Sequence, residues 1–315
     1  MAPAPTRPTP NFLAWTAVAV MLTASAPPVA AQQAVVLTPV SSLPASTRAM
    51  ALGNAYMMNA RDADAIFYHP SLLNNASGFG LGIQRWGNAG SSASASAATQ
   101  WFGGAVGMGL TTVQYSAPGG VPGASPETQD HLFADGGESV SQRAAMLGLA
   151  RSVFGLDVGA TGKLVEARAG GSRATRLLYD IGVSTDLGPL TAGLTFQDFG
   201  EEPLSSADGW DPARVVFGLG AYGRQVGIFD IGLTTAVSWS EAETVLAGGL
   251  ELGYWPISGR TFVARMGMRR VPEESAASPM SFGFAFWGDD LVLEWAYRPF
   301  GDLDEGTHRF EMRWR

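Results

Sequence analysis

Alternation of bulky apolar with small or charged residues is the feature that most constrains what this chain can fold into. At its end, His308, Phe310, Met312 and Trp314 interleave with Arg309, Glu311, Arg313 and Arg315. Leu291, Leu293, Trp295 and Tyr297 interleave with Val292, Glu294 and Ala296, and Met280, Phe282, Phe284 and Phe286 with Ser281, Gly283 and Ala285. A period of two sends the two sets to opposite faces of a β-strand. A soluble sandwich buries its apolar face, whereas a transmembrane barrel turns that face to lipid and points the charges into its lumen.

Composition favours the barrel. Charged residues are 15% of the 315, against roughly 25% in ordinary soluble domains. Glycine is abundant, at 40 residues. No apolar run long enough for a helical span follows the N-terminus. The net charge of -8 argues against nucleic acid as a partner. Without cysteine there is no disulfide, thiolate chemistry or lipidated cysteine. Residues 1–31 read as a secretory signal: Arg7 supplies charge, Phe12 to Ala26 the apolar stretch, and Val29-Ala30-Ala31 a small-residue cleavage site. Export and a polar-lumen pattern together predict a bacterial outer membrane, with its lipid or lipopolysaccharide as surroundings.

Fourteen strands are predicted, over 78–87, 91–102, 104–116, 142–153, 156–166, 174–185, 190–199, 213–223, 226–239, 244–254, 260–271, 279–287, 290–298 and 307–315. Tight turns are expected at Phe154-Gly155, Asp186 to Pro189, Gly223 to Gln225 and Gly288-Asp289, and a slightly longer one at Trp255 to Gly259. Wider links are expected at Ala117 to Ser141, Ala167 to Arg173, Gly200 to Pro212, Pro272 to Ser278 and Pro299 to Gly306. Outer-membrane barrels show this asymmetry, with short periplasmic turns and longer external loops. The lumen face carries Asp157, Lys163, Arg176, Asp180, Glu251, Arg265, Arg269, Glu294, Arg309, Glu311 and Arg313. Both signs occur, which predicts a cross-strand charge network inside the barrel.

Residues 41–77 do not alternate, and 32–77 are expected to be an N-terminal arm and plug before a barrel over 78–315. Ser46-Thr47 is expected to cap a short helix over Arg48 to Tyr56, with Gly53 allowing close packing against a wall. A second helical piece is expected over Ala65 to Tyr68, ended by Pro70. The natural place for the segment is inside or across the periplasmic mouth. Arg48, Arg61, Asp62 and Asp64 are expected to include at least one partner of the wall charges Arg265, Arg269, Glu294, Glu311 and Arg313. His69 is expected to cap backbone groups at a turn.

The stretches Arg48-Ala49-Met50-Ala51-Leu52-Gly53-Asn54-Ala55-Tyr56 and Asp62-Ala63-Asp64-Ala65-Ile66-Phe67-Tyr68-His69-Pro70-Ser71-Leu72 resemble the opening signature of the PorV/PorQ group of outer-membrane barrels. That group resembles the wider FadL-like superfamily. Arg48, Gly53, Asp62, Asp64, Tyr68, His69 and Pro70 carry the motif here, with His69 where the family has Asn. The resemblance implies a fourteen-strand barrel that docks or assists components or cargo of a type IX-like secretion or surface-assembly system. The alternatives are a FadL-like channel for a hydrophobic or amphiphilic ligand, with a lateral gap near Gly103-Gly104, Gly107 and Gly109, or a mainly structural protein. No cofactor or metal site is expected. The three histidines form no ligand cluster with carboxylates, and no nucleophile motif occurs, so an enzyme is not expected.

Overall fold

The computed structural model describes residues 40, 43–56, 58, 60–86, 90–115, 140–169, 172–200, 213–240, 244–257, 260–270, 278–299 and 306–314. The segment read as a signal, 1–31, lies outside them, as does most of the longest link. Among the described residues fourteen antiparallel strands close into one barrel, each paired with its sequence neighbours and the first with the last. They are β1 (Gly78–Trp86), β2 (Gly90–Trp101), β3 (Gly104–Tyr115), β4 (Val140–Val153), β5 (Leu156–Ala169), β6 (Ser172–Leu187) and β7 (Leu190–Gly200). The circuit continues through β8 (Arg214–Val226), β9 (Phe229–Trp239), β10 (Thr244–Ile257), β11 (Arg260–Arg269), β12 (Met280–Trp287), β13 (Leu291–Arg298) and β14 (Thr307–Trp314). Closure leaves no unpaired edge, which a wall in hydrocarbon requires.

The alternation falls as the sequence pattern demands. Ile83, Met108, Leu110, Leu147, Leu164 and Phe284 point outward and are more than half exposed. Their strand neighbours Gln84, Gly107, Thr111, Gly148, Lys163 and Ala285 are turned inward. The exposed apolar band is the surface of a transmembrane barrel. Phe102-Gly103 and Phe154-Gly155 are two-residue turns with positive φ at both positions, the twist that suits tight hairpins.

The structure departs from the sequence expectations at several links. The turn expected at Gly223 to Gln225 lies at Gly227-Ile228, because β8 continues to Val226 past an irregularity in its pairing with β9. The wide link expected at Ala167 to Arg173 is nearly absent, because Ala167↔Ala174 and Arg168↔Arg173 remain paired. The ladders flanking β3 run unbroken, from Gly90↔Tyr115 to Trp101↔Gly104 and from Ala105↔Ala150 to Tyr115↔Val140. No lateral gap forms at Gly103-Gly104, Gly107 or Gly109. Gly107 and Gly109 instead face the plug, where an added Cβ would lie 2.7 Å from Leu73 and 2.8 Å from Phe67.

The plug is three short helical pieces within the lumen: α1 (Thr47–Ala51), a 3-10 helix over Ala63–Phe67 and another over Pro70–Asn75. The helix expected to reach Tyr56 stops at Ala51. Gly53 and Asn54 both take positive φ, which ends it. Gly53 could not be larger, since its Cβ would lie 2.4 Å from the Met268 carbonyl oxygen. Ser46 makes no side-chain cap. The Thr47 N–H instead donates to Glu311 Oε2 at 2.6 Å, so the wall caps α1. The segment also reaches further than the periplasmic mouth, since Val40 and Leu43 line the half of the lumen nearer the longer loops.

Candidate functional site: the plug and its seat

Two kinds of wall hold the plug. On one side, β10 to β14 present charge. The Arg48 fork donates from Nε and Nη2 to both oxygens of Glu251, at 2.9 and 2.8 Å. Arg265 donates to the same carboxylate at 2.6 Å and to Glu294 at 2.8 Å. Arg313 pairs with Glu294, and its Nη1 also reaches Asp62 Oδ2 of the plug, the same oxygen that Arg48 Nη1 approaches to 3.5 Å. Arg313 and Arg309 both approach Glu311, at 3.5 and 3.9 Å. Arg309 also donates to the Ala45 carbonyl and to Ser94. Arg48 lies over the Trp287 ring, 5.7 Å from its centroid.

The chain is buried here, so its charges have to balance. Four guanidiniums, of Arg48, Arg265, Arg309 and Arg313, meet five carboxylates, of Asp62, Asp64, Glu251, Glu294 and Glu311. Burial, and beside it Glu311, pushes the Asp64 carboxyl well above the usual carboxylate range. A proton on Asp64 makes the count four against four. Asp64 Oδ1 accepts from Ser96 Oγ at 2.6 Å. Burial works in the same direction on Asp62, but Arg313 and Arg48 outweigh it and hold that carboxyl below the usual range. The Tyr56 hydroxyl donates to Asp62 at 2.6 Å.

On the other side, β3 to β7 present glycine. Ile66 and Leu73 are fully buried and fill the space over Gly107 and Gly148. The Pro70 carbonyl lies so close to β5 that a Cβ at Gly159 would be 2.4 Å from it. His69 packs its ring over Gly182 and Gly193. It makes no side-chain cap, contrary to expectation. Its Nδ1 pairs with Ser71 Oγ at 2.9 Å, and Ser71 with Ser184 on β6 at 2.6 Å. Burial pulls the imidazole down to about 4, so it is neutral at pH 7. Tyr68 stacks on Tyr56 with ring centroids 4.9 Å apart. Its hydroxyl accepts from the N–H groups of Ala45 and Ser46, at 3.0 and 3.1 Å.

The expected lumen network is two networks in the structure. Glu251, Arg265, Glu294, Glu311 and Arg313 join the plug. Asp180 instead belongs to a separate group, where Lys163 lies 2.7 Å from it and 2.8 Å from Asp198, and Arg214 lies 3.2 Å from Asp198. Arg176 and Arg269 occupy lumen-facing positions nearer the loop-side rim, opposite Val165 and Ala247 in register. Asp198 was hidden from sequence reasoning. Simple alternation places it outward with Phe196, but the β6–β7 register shifts between Tyr179 and Ile181 and turns it in. Its φ of 58° is the cost of that bulge. The signal was a carboxylate assigned to the lipid face, an arrangement strand chemistry disfavours.

A cavity lies on each side of the plug. The loop-side one, about 190 Å³, is lined by Leu43, Tyr68, His69, Met146, Val216 and Val245, with Lys163, Arg214 and Arg269 among them. The turn-side one, about 580 Å³, is lined by Arg48, Arg61, Asp62, Tyr222, Trp287 and Arg313. Plug residues 54 and 56 border the first cavity and 60–63 the second, so the plug stands between them.

No family profile and no curated protein matches the sequence. Solved structures do match. The toluene transporter TodX of Pseudomonas putida is 11% identical, with a TM-score of 0.52 over 90% of this chain and 98% of that one. The toluene transporter TbuX of Ralstonia pickettii is 12% identical, with a TM-score of 0.56 over 85% and 97%. A FadL homologue of Pseudomonas aeruginosa is 8% identical, with a TM-score of 0.53 over 86% and 98%. The fold is FadL-like. At these identities the likeness is one of architecture. None of the three is described as a PorV/PorQ protein.

Proposed function

We propose that this is a bacterial outer-membrane channel that admits hydrophobic or amphiphilic small molecules, with the N-terminal plug as its gate. The observation that carries this reading is the pair of cavities separated by a plug. A docking protein has no need of a plug held between two chambers, whereas a gated path needs both. The FadL-like fold supports it, because the similar TodX and TbuX barrels are toluene transporters. The reading places the secretion role second, reversing the order the sequence resemblance implies. No enzymatic role is proposed.

The test is uptake by cells whose own hydrocarbon channels are deleted. Initial uptake of toluene and of a medium-chain alkanol should rise when this barrel is expressed. No rise, with the folded barrel present in the outer membrane, would refute the channel reading. The secretion reading keeps one supporting observation: the ion-paired plug closes the lumen, and no strand around it is broken near Gly107 and Gly109. Gentle extraction that recovers a secretion component or exported cargo with the barrel would favour it.

A further inference from the structure

Met58 of the plug occupies a trough of its own. The three helical pieces pack on β1 to β6 and on β11 to β14. Met58 lies between Tyr56, which borders the loop-side cavity, and Ala60, which borders the turn-side one. It is buried against the seam of β7 and β8, where the inward positions Gly193, Gly218 and Gly220 carry no side chain. A Cβ at Gly220 would lie 3.0 Å from Met58 Cβ, one at Gly218 2.5 Å from its Sδ, and one at Gly193 2.4 Å from its Cε. The side chain is therefore stretched along the glycines, from Gly220 across Gly218 to Gly193.

The trough runs from one cavity toward the other. Gly193 faces Gly218 in register, and Thr191 faces Gly220. Toward the loops, the inward row of β8 passes through Gly218 to Val216, and both line the loop-side cavity. Toward the turns, it passes through Gly220 to Tyr222, which lines the turn-side cavity together with Thr191. At the far end of the trough the Met58 methyl meets His69. Its Nε2 would lie 2.7 Å from a Cβ at Gly193, beside Met58 Cε, and it is buried with no hydrogen-bond partner. A buried polar atom left unpaired is costly, and a ligand that brings a partner relieves that cost.

We infer that this trough is the path past the plug, that Met58 closes it, and that it takes an unbranched alkyl chain ending in an uncharged hydrogen-bonding group such as a hydroxyl. The inference rests on the channel reading and adds to it the route, the closing side chain and the ligand class. The alkyl chain follows from Met58, whose unbranched Cβ, Cγ, Sδ and Cε fill the trough as an alkyl segment would. A thioether on three rotatable bonds is also adaptable enough to turn aside. The polar end follows from His69 Nε2, which stands where Met58 stops. Ile66 and Leu73 sit over Gly107 and Gly148, and Arg48 pairs with Glu251 on β10, so turning Met58 aside disturbs neither hold.

Two readouts test the route apart from the channel reading. The chain has no cysteine, so Met58→Cys carries its only thiol. On cells that express this variant, octyl methanethiosulfonate should modify the thiol several-fold faster than the charged sulfonatoethyl reagent, and octan-1-ol should slow the reaction. In the uptake assay, Met58→Ala should raise initial octan-1-ol uptake several-fold over wild type, and raise octane uptake less. Adding Gly218→Leu refills the trough and should return uptake to the wild-type level. Adding Gly162→Leu, where nothing lies within 4 Å, should not. All variants should keep the heat-modifiable gel shift of a folded barrel. A thiol that resists the octyl reagent, or a gain that survives Gly218→Leu, would overturn the route while wild-type uptake leaves the channel reading standing. Equal gains for octan-1-ol and octane would overturn the ligand class. No uptake by any form would refute the channel reading and the route with it.

Discussion

The two walls that hold the plug work by different physics. Strands β10 to β14 hold it with ion pairs and a capped helix, and β3 to β7 with apolar side chains set over glycines. The charged wall gives direction: the planar Arg48 fork accepts one arrangement of Glu251 and Asp62. Its net stabilisation is small, since each buried charge was removed from water. The glycine wall gives energy. Burying Ile66 or Leu73 is worth about 1.5–3 kcal/mol each, and absent side chains let the plug approach the wall closely. For the gate proposed above, the glycine seat would make closure favourable and the charged latch would define which closed state is reached.

The largest effect should come from filling the glycine seat where backbone, not a flexible side chain, stands opposite. Gly159→Leu would place a Cβ 2.4 Å from the Pro70 carbonyl. The plug should leave its seat, and planar-bilayer recordings should show frequent large openings where wild type is mostly closed. Gly162→Leu is the control, because nothing lies within 4 Å of that position. If Gly159→Leu conducts like wild type, the seat does not hold the plug.

Removing one member of the latch should come next. Glu251→Ala leaves Arg48 and Arg265 without their shared carboxylate, which should destabilise the closed state by about 3–5 kcal/mol. Ile66→Ala in the opposite wall should cost about 2–4 kcal/mol. The sharper outcome is the double change of Arg48 and Glu251 to Met. It should recover most of the loss if the pair serves direction, and little if it serves energy. Open probability against voltage measures all three.

Acid should loosen the glycine wall through His69. Its imidazole is held neutral down to about 4, against an ordinary value of 6.5. The resulting stabilisation is complete above pH 6.5 and is lost as pH falls through that range to about 4, amounting to about 3 kcal/mol. Asp64 acts the other way. Its carboxyl is raised, so its contribution is complete below the ordinary carboxylate value of about 4 and is lost as pH rises from there through the shifted value. Between about 4 and 6.5 the two slopes oppose each other, so wild type should change little there. Asp64→Asn should uncover the His69 loss, with the plug opening more as pH falls through that range, and His69→Asn should uncover the Asp64 loss, with the plug opening more as pH rises; if both variants stay as flat as wild type, other groups set the response.

The strands were readable in the sequence and the plug's seat was not. Alternation such as Phe282, Phe284 and Phe286 against Ser281, Gly283 and Ala285 fixes faces locally, with no knowledge of partners. Even the weak Ser91 to Ala98 segment paired as a strand, because closure supplies both neighbours. The abundance of glycine was visible only as composition. That Gly107, Gly148 and Gly159 share a function depends on three strands meeting one plug, which no local pattern records. The latch residues Glu251, Arg265, Glu294, Glu311 and Arg313 were legible as lumen charges. Their division from Asp180, Lys163 and Asp198 was not, because the bulge between β6 and β7 breaks the period that located them.

The smallest effect should come at the plug's exit, where neither wall is deep. Asn74 Nδ2 donates to Asp157 Oδ1 at 2.8 Å, and Asn75 Nδ2 to Oδ2 at 2.9 Å. Ser152 Oγ donates to the same carboxylate at 2.6 Å. These bonds fasten the last helical turn to the β4–β5 hairpin, just before the chain enters β1. Water competes for all of them, because Asn75 is exposed and Asp157 half-buried. Asp157→Ala should thus cost about 1 kcal/mol, far less than Glu251→Ala. The donors are two neutral amides and a hydroxyl, so this contribution has no ion pair for salt to screen. Open probability of the two variants, recorded under the same conditions, ranks them. If Asp157→Ala opens the barrel as far as Glu251→Ala does, the exit governs the gate, and the contrast between the two walls would lose its meaning.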